Sequence, residues 1–150
     1  MIVPEDNRYY HFTNLNPKGK NVKDCVYRSL CAFLDVSWED ACRMNAKWFL
    51  KTGSRLEAEG IVKFLMEEYS LVPKAFYDNA WKGYLSEAVN VPPELKVISN
   101  IQDFIDNVAE TDVRYLFCVP QHVLTVRDKK VWDTWDSSRA CPDLVFELRK

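Results

Sequence analysis

The sequence predicts an α+β fold in which several helices precede an antiparallel β-sheet. Through most of the first two thirds of the 150-residue chain, apolar residues recur at helical spacing and helix-capping residues separate the segments. After Thr111 the segments become short and rich in β-branched and aromatic residues, with turn residues between them. No repeat or long linker divides the chain, so we expect a single domain over residues 1–150.

The first helix is predicted over residues 24–34. One face of it carries Val26, Leu30 and Phe33. A stripe of small residues lies beside that face and consists of Cys25, Ser29 and Ala32. Because small side chains let another element approach closely, we expect this helix to be central and packed on more than one side. Residues 7–23 contain several Asn residues with Pro17 and Gly19, and they are expected to be irregular.

Two further helices are predicted from capping residues. Ser37, followed three residues later by Asp40, forms a start signal similar to a capping box, and this helix should end near Gly53. Ser54 with Glu57 repeats the signal and predicts a third helix over residues 55–71. Both segments have the apolar periodicity of helices that cover a core.

After the third helix we expect short helical and strand segments first and then a run of β-strands. Residues 72–93 hold three prolines and a glycine, and we expect a short strand with a loop or helical turn there. A fourth helix fits residues 100–110, with Asn100 as its N-cap. Four strands are predicted at the end of the chain, over residues 114–120, 122–127, 130–135 and 143–148.

Composition excludes several classes of protein. The net charge is −2, which does not favour a nucleic-acid partner, and no apolar run is long enough for a membrane span. No export signal is recognisable, so a cytoplasmic location is expected. The five cysteines are an odd number without a CxxC pair, which favours reduced thiols over disulfides or a structural zinc site. No cofactor or metal is expected.

Cys25, at the start of the first helix, is the candidate nucleophile. A thiol reacts as its thiolate, and the unpaired N–H groups at a helix N-terminus favour that anion. Such a nucleophile needs a base within hydrogen-bonding reach, oriented by a third group. His122 is the better of the two histidines because it begins a predicted strand that would fix its ring, whereas His11 lies in the irregular N-terminal segment.

Asp133 and Asp136 are the candidates for orienting His122, and the turn between the second and third predicted strands decides between them. If the loop comprises residues 128–130, His122 lies opposite Asp136. If the loop comprises residues 128–129 alone, Trp135 lies opposite His122, and Asp133 is the diagonal neighbour on the same face. We favour the longer loop and therefore Asp136.

The order of these residues resembles that of the papain-like cysteine peptidase superfamily, in which a Cys at a helix start is followed by a His and an Asp on neighbouring strands. More closely, "NPKGKNVKDCVYRSLCAFLDVSWEDA" and "HVLTVRDKKVWDTWDSS" are similar to a group of small cysteine peptidases of bacteriophage genomes. The resemblance covers the two ends of the chain. It implies a papain-like fold in which a central Cys-bearing helix packs on a C-terminal antiparallel sheet.

The resemblance also implies a role for each candidate residue. Cys25 would be the nucleophile, His122 the general base, and Asp136 or Asp133 the residue that orients the histidine. Transglutaminase-like members of the superfamily have an aromatic residue four positions before their Asp, as Trp132 stands to Asp136 here, and this supports Asp136.

The oxyanion hole is where the chain departs from papain. Papain has a glutamine six residues before its cysteine, and this chain has Gly19 at that position. We expect the backbone N–H of Cys25 to be one oxyanion donor and Asn21 to be the second, with Gln121 behind it.

These observations predict a thiol hydrolase, a cysteine peptidase or amidase, that acts on a protein or peptide through an acyl-enzyme. One alternative is a deamidase or transglutaminase-like enzyme that uses the same site. The other is a binding protein with a vestigial site that captures a host factor, in the host cytoplasm if the chain is phage-encoded. Gly19 and the acid-free basic run of residues 7–23 favour that alternative. The oligomeric state is left open.

Overall fold

The structure is a computed structural model that describes residues 5–19, 24–85 and 89–149 and, at positions 58 and 83, the backbone alone. Its helices are α1 (Cys25–Leu34), α2 (Trp38–Thr52), α3 (Ala58–Tyr69), α4 (Pro93–Lys96) and α5 (Ile101–Asn107), with a 3₁₀ turn at Ala80–Gly83. Its strands are β1 (Tyr10–Phe12), β2 (Lys74–Ala75), β3 (Val113–Val119), β4 (His122–Arg127), β5 (Lys130–Asp133) and β6 (Leu144–Arg149). The predicted α+β class is confirmed.

The strands form one six-stranded sheet in the order β1-β5-β4-β3-β6-β2. The four strands from β3 to β6 pair antiparallel, as predicted, and β2 pairs antiparallel with β6. β1 pairs parallel with β5 at the opposite edge. This strand lies in a segment that we expected to be irregular, so the N-terminal part of that prediction is wrong.

Capping chemistry sets two of the helix starts as expected. The Ser37 side chain accepts a hydrogen bond from the Asp40 N–H at the start of α2, and the Asn100 side chain does the same for Asp103 at the start of α5. The predicted start of α3 is wrong. Asn45 of α2 accepts the N–H of the buried Leu56, so the chain stays irregular until α3 begins.

Both faces of the sheet are covered. Helices α1, α2 and α3 pack on one face, where Leu30 of α1 belongs to the same core as Leu116 and Phe146 of the sheet. Helix α5 packs on the other face, where the rings of Phe104 and Phe117 lie edge to face with centroids 4.9 Å apart. Within the described ranges, no helix is long and apolar enough to cross a membrane.

Two hydrogen bonds fix the central helix α1 against strand β4. The Ser29 hydroxyl donates to the Val123 carbonyl at 2.9 Å, and the Thr125 hydroxyl donates to the Ser29 carbonyl at 2.9 Å. All three residues are buried, so the side-chain groups have no access to water as an alternative partner. The N-terminus of α1 is thereby held beside the start of β4, which brings Cys25 to His122.

The β4–β5 hairpin has a two-residue turn, contrary to our expectation. Arg127 pairs with Lys130, and the turn residues Asp128 and Lys129 both have positive φ, 51° and 60°. This conformation matches the right-handed twist of the strands and gives the shorter loop. The registry that would place Asp136 opposite His122 is therefore wrong.

Candidate active site

Cys25 is the first residue of α1, and the preceding Asp24 does not cap the helix with its side chain. The Asp24 carboxylate instead accepts hydrogen bonds from Asn16 Nδ2 at 3.0 Å and from Arg28 Nε at 2.9 Å. Because these partners hold the Asp24 side chain, it does not bond the first backbone N–H groups of α1, whose partial positive charge favours an anion near Cys25.

The Cys25 thiol lies beside the His122 imidazole and the Val123 backbone N–H, and both favour its thiolate. His122 is the first residue of β4, and its side chain is 12% exposed. The ring therefore has restricted freedom, as expected for a base held on a strand.

Asp133, at the end of β5, contacts the other side of His122. Its Oδ2 lies 2.7 Å from His122 Nε2, which leaves Nδ1 as the ring nitrogen available to Cys25. In the observed registry Asp133 lies diagonally across from His122 on the same face, so the short hairpin turn explains the contact. The Trp135 ring lies beside the imidazole, with centroids 5.0 Å apart, and is half-exposed.

Each oxygen of the Asp133 carboxylate accepts two hydrogen bonds. Oδ2 is shared by His122 and the Ser137 hydroxyl, the latter at 3.0 Å. Oδ1 accepts from Arg28 Nη1 and from the Thr134 N–H, both at 2.7 Å. Because Asp133 is only 2% exposed, these contacts supply the solvation that water would otherwise give to the charge.

The electrostatics of the site favour a thiolate paired with an imidazolium. Burial opposes ionisation of Cys25, but the contact with His122, the Val123 N–H and the charges of His122 and Arg28 outweigh it and lower the thiol pKa. Burial also opposes protonation of His122, but the contacts with Asp133 and Cys25 outweigh it and raise the imidazole pKa to about 9. Both shifts favour the charged forms, the thiolate and the imidazolium.

Asp133 stays ionised beside this pair. Burial by itself would raise the pKa of the carboxyl group, but the His122 contact, the Arg28 guanidinium and the Thr134 N–H together lower it. A buried carboxylate of this kind holds one tautomer of a neighbouring imidazole and stabilises its cation.

The structure brings together Cys25, His122 and Asp133. It does not bring Asp136 to His122. The exposed Asp136 carboxylate instead accepts hydrogen bonds from Asn7 Nδ2 at 3.1 Å and from the Ser138 N–H at 3.0 Å.

The two side chains predicted for the oxyanion hole have different outcomes. Asn21 lies outside the described residues, so its predicted role stays a prediction. Gln121 is exposed in the tight β3–β4 turn, with φ 59°, immediately before His122. Its position is compatible with a polar group near the substrate, and its role also stays a prediction.

Sequence reasoning did not identify Arg28 and Ser137 as parts of the site. Arg28 lies four residues after Asp24, a spacing that indicates an ion pair on a helix, and it does form one. Its second contact, with Asp133, joins residues 105 positions apart and has no local signal. Ser137 reaches Asp133 from the loop after β5, and that contact depends on the same hairpin registry.

Of the other four cysteines, all free thiols, two are buried and two are exposed. Cys31 and Cys118 are buried, and burial raises their pKa to about 11 and about 12. Cys42 and Cys141 are exposed.

Within the part of the chain that the structure describes, no group of His, Cys, Asp or Glu residues is arranged to hold a metal ion. The chain matches no protein-family model, no curated protein and no solved structure.

Proposed function

We propose that this protein is a thiol hydrolase that cleaves an amide or isopeptide bond of a protein or peptide through an acyl-enzyme. Cys25 is the nucleophile, His122 the general base and acid, and Asp133 the residue that orients the imidazole. The observation that carries the proposal is the contact series from the Cys25 thiol through His122 to the buried Asp133 carboxylate. Acyl transfer by a thiol needs a base close to the nucleophile, and a third group that orients this base completes the arrangement.

We also propose that the fold is papain-like. Supporting this is the packing of a cysteine at a helix N-terminus against the strand that bears the histidine, with the aspartate on the next strand. The resemblance of both chain ends to small phage cysteine peptidases agrees with this arrangement.

In the first half of the proposed reaction, the Cys25 thiolate attacks the substrate carbonyl carbon and forms a tetrahedral oxyanion. The backbone N–H of Cys25 is the first donor to that oxygen, and Asn21 and Gln121 are the candidate side-chain donors. The intermediate collapses as the C–N bond breaks, and the His122 imidazolium gives its proton to the departing amine. The products of this half are a free amine, a thioester on Cys25 and a neutral imidazole.

In the second half, His122 takes a proton from water as the water oxygen attacks the thioester carbonyl. The C–S bond then breaks, and the carboxylic acid leaves with the regenerated thiolate beside the imidazolium. Asp133 Oδ2 accepts the hydrogen bond from the Nε2–H of His122 throughout, so the ring presents Nδ1 in both halves. The half-exposed Trp135 beside the imidazole forms one wall of the place where substrate would lie.

The test compares a bacterial lysate treated with the wild-type protein and with Cys25→Ala, using mass spectrometry of peptides and their termini. New termini that depend on Cys25 support hydrolysis. A mass increase of about one unit at glutamine, without new termini, assigns the site to deamidation and rejects the peptidase proposal. If Cys25→Ala retains the biological activity of the wild type, the site is vestigial and the protein acts by binding.

A further inference from the structure

Arg28 lies one turn after Cys25 on α1, and its guanidinium joins two buried carboxylates. Nε donates to Asp24 Oδ1 at 2.9 Å, and Nη1 donates to Asp133 Oδ1 at 2.7 Å. The side chains of Arg28, Asp24 and Asp133 are 11%, 6% and 2% exposed. Ion pairs that are this well shielded interact more strongly than pairs on the surface.

The two oxygens of the Asp133 carboxylate have different partners, and the contact with Arg28 involves only Oδ1. Oδ1 is held by Arg28 and the Thr134 N–H, while Oδ2 remains directed at His122 Nε2 and the Ser137 hydroxyl. Rotation of the carboxylate away from His122 would break the contact with Arg28. The planar guanidinium, itself fixed by Asp24, therefore resists that rotation.

We propose that Arg28 is a positioning residue of the Cys25 site, which fixes the orientation of Asp133 towards His122 and favours the Cys25 thiolate through its permanent charge. The inference rests on the proposed function, because it assigns Arg28 a part in preparing the nucleophile. Cys25 and Arg28 are three residues apart on α1, a spacing that places two side chains next to each other on a helix.

The charges along this series alternate in sign, from Asp24 to Arg28, Asp133, His122 and Cys25. With Arg28 removed, three anions would share the region with one imidazolium. Since like charges at short range disfavour ionisation, the thiolate would become less stable.

Titratable groups on the neighbouring strands β1 and β3 also lie near the series. On β1, the Tyr10 hydroxyl donates to the Asp133 carbonyl oxygen at 3.2 Å, and burial followed by the charges of Asp133, Asp136 and Asp6 raises the pKa of Tyr10 to about 12. On β3, burial raises the pKa of Cys118 to about 12. Both are neutral at neutral pH, so neither replaces the charge of Arg28.

The test measures the pH midpoint of Cys25 alkylation by iodoacetamide, a neutral reagent, with the modified thiol located by mass spectrometry. Arg28→Met should move the midpoint up by about one pH unit, because a cation next to the thiolate is lost. Arg28→Lys keeps the charge and should restore most of the wild-type midpoint.

Asp24→Asn makes the proposal testable even if Arg28→Met fails to fold. It removes a negative charge from the series, while the isosteric amide oxygen can still accept from Arg28 Nε and Asp133 still holds Nη1. The midpoint should therefore move down instead of up. A purely structural role for Arg28 predicts that every variant which loosens the site moves the midpoint in the same direction. Opposite movements support the proposal, and movement of Asp24→Asn upward or not at all overturns it.

Arg127→Met is the matched control. Arg127 is also a shielded arginine between α1 and the sheet, where its Nη1 donates to the Ala32 carbonyl at 3.2 Å and pairs with Asp35 at 3.4 Å. Its removal should leave the Cys25 midpoint unchanged. A wild-type Cys25 that reacts no faster than the exposed thiols would reject the proposed function, whereas a fast wild-type Cys25 with the same midpoint in Arg28→Met would reject only the role of Arg28.

Discussion

Replacing Asp133 with asparagine removes the negative charge that contacts His122 Nε2 at 2.7 Å. The pKa of His122 is raised from an ordinary 6.5 to about 9, which corresponds to roughly 3 kcal/mol in favour of the imidazolium. Among the interactions that raise it, the hydrogen bond with Asp133 is the largest and the one with Cys25 is next. We therefore expect Asp133→Asn to lower the pKa of His122 by about one pH unit or more, towards 6.5.

The assay is an NMR titration of the imidazole resonances. The chain has two histidines, so a His11→Ala variant assigns the His122 signal directly. Asp136→Asn is the matched control, because that exposed carboxylate contacts Asn7 and Ser138 and should change the pKa of His122 by less than about 0.3 pH unit. A wild-type His122 that titrates near 6.5, or a larger change in Asp136→Asn than in Asp133→Asn, would refute the assignment.

Three further outcomes are expected from unfolding in urea. The raised pKa of His122 stabilises the folded protein, and this contribution is lost as pH rises through about 9. The lowered pKa of Cys25 also stabilises the folded protein, and this contribution is lost as pH falls through the folded-state pKa of the thiol. The advantage of the wild type over Cys25→Ser should therefore be greatest between those two values, and an advantage independent of pH would contradict the ion pair. Leu30→Ala should cost about 3 kcal/mol, because Leu30 is fully buried in α1; a cost below about 1 kcal/mol would contradict its central packing. Ser29→Ala should cost about 1–2 kcal/mol, because the buried Val123 carbonyl loses its 2.9 Å hydrogen bond, and a neutral change would mean that this bond does not hold α1 to β4.

Local chemistry explains which parts of the fold could be predicted. The starts of α2 and α5 follow from Ser37 and Asn100, whose side chains bond to N–H groups three residues away. The strand β1 was missed because three residues, Tyr10–Phe12, pair in parallel with a strand more than a hundred residues later. A strand of this length has too few residues for a period to show, and its partner cannot be read from its own sequence.

In the candidate site, too, the features set by local sequence could be predicted and those set by distant contacts could not. A cysteine at a helix start and a histidine at a strand start are local features, and the structure places Cys25 and His122 together. The choice between Asp133 and Asp136 depended on one residue of turn length. Asp128 and Lys129 take the left-handed conformation without the Asn-Gly pair that usually signals a two-residue turn, so the sequence left both loop lengths open. The spacing of Trp132 to Asp136 then favoured the wrong one.

The most direct test of the central claim is the relative alkylation rate of the five cysteines in the folded wild-type protein near neutral pH, resolved by mass spectrometry. Cys25 should be modified first, at least about tenfold faster than the exposed Cys42 and Cys141, because reactivity follows the thiolate fraction. The buried Cys31 and Cys118 should react last, and their protection shows that the protein has stayed folded. Equal labelling of Cys25, Cys42 and Cys141, with Cys31 and Cys118 still protected, would contradict the assignment of Cys25 as an activated nucleophile.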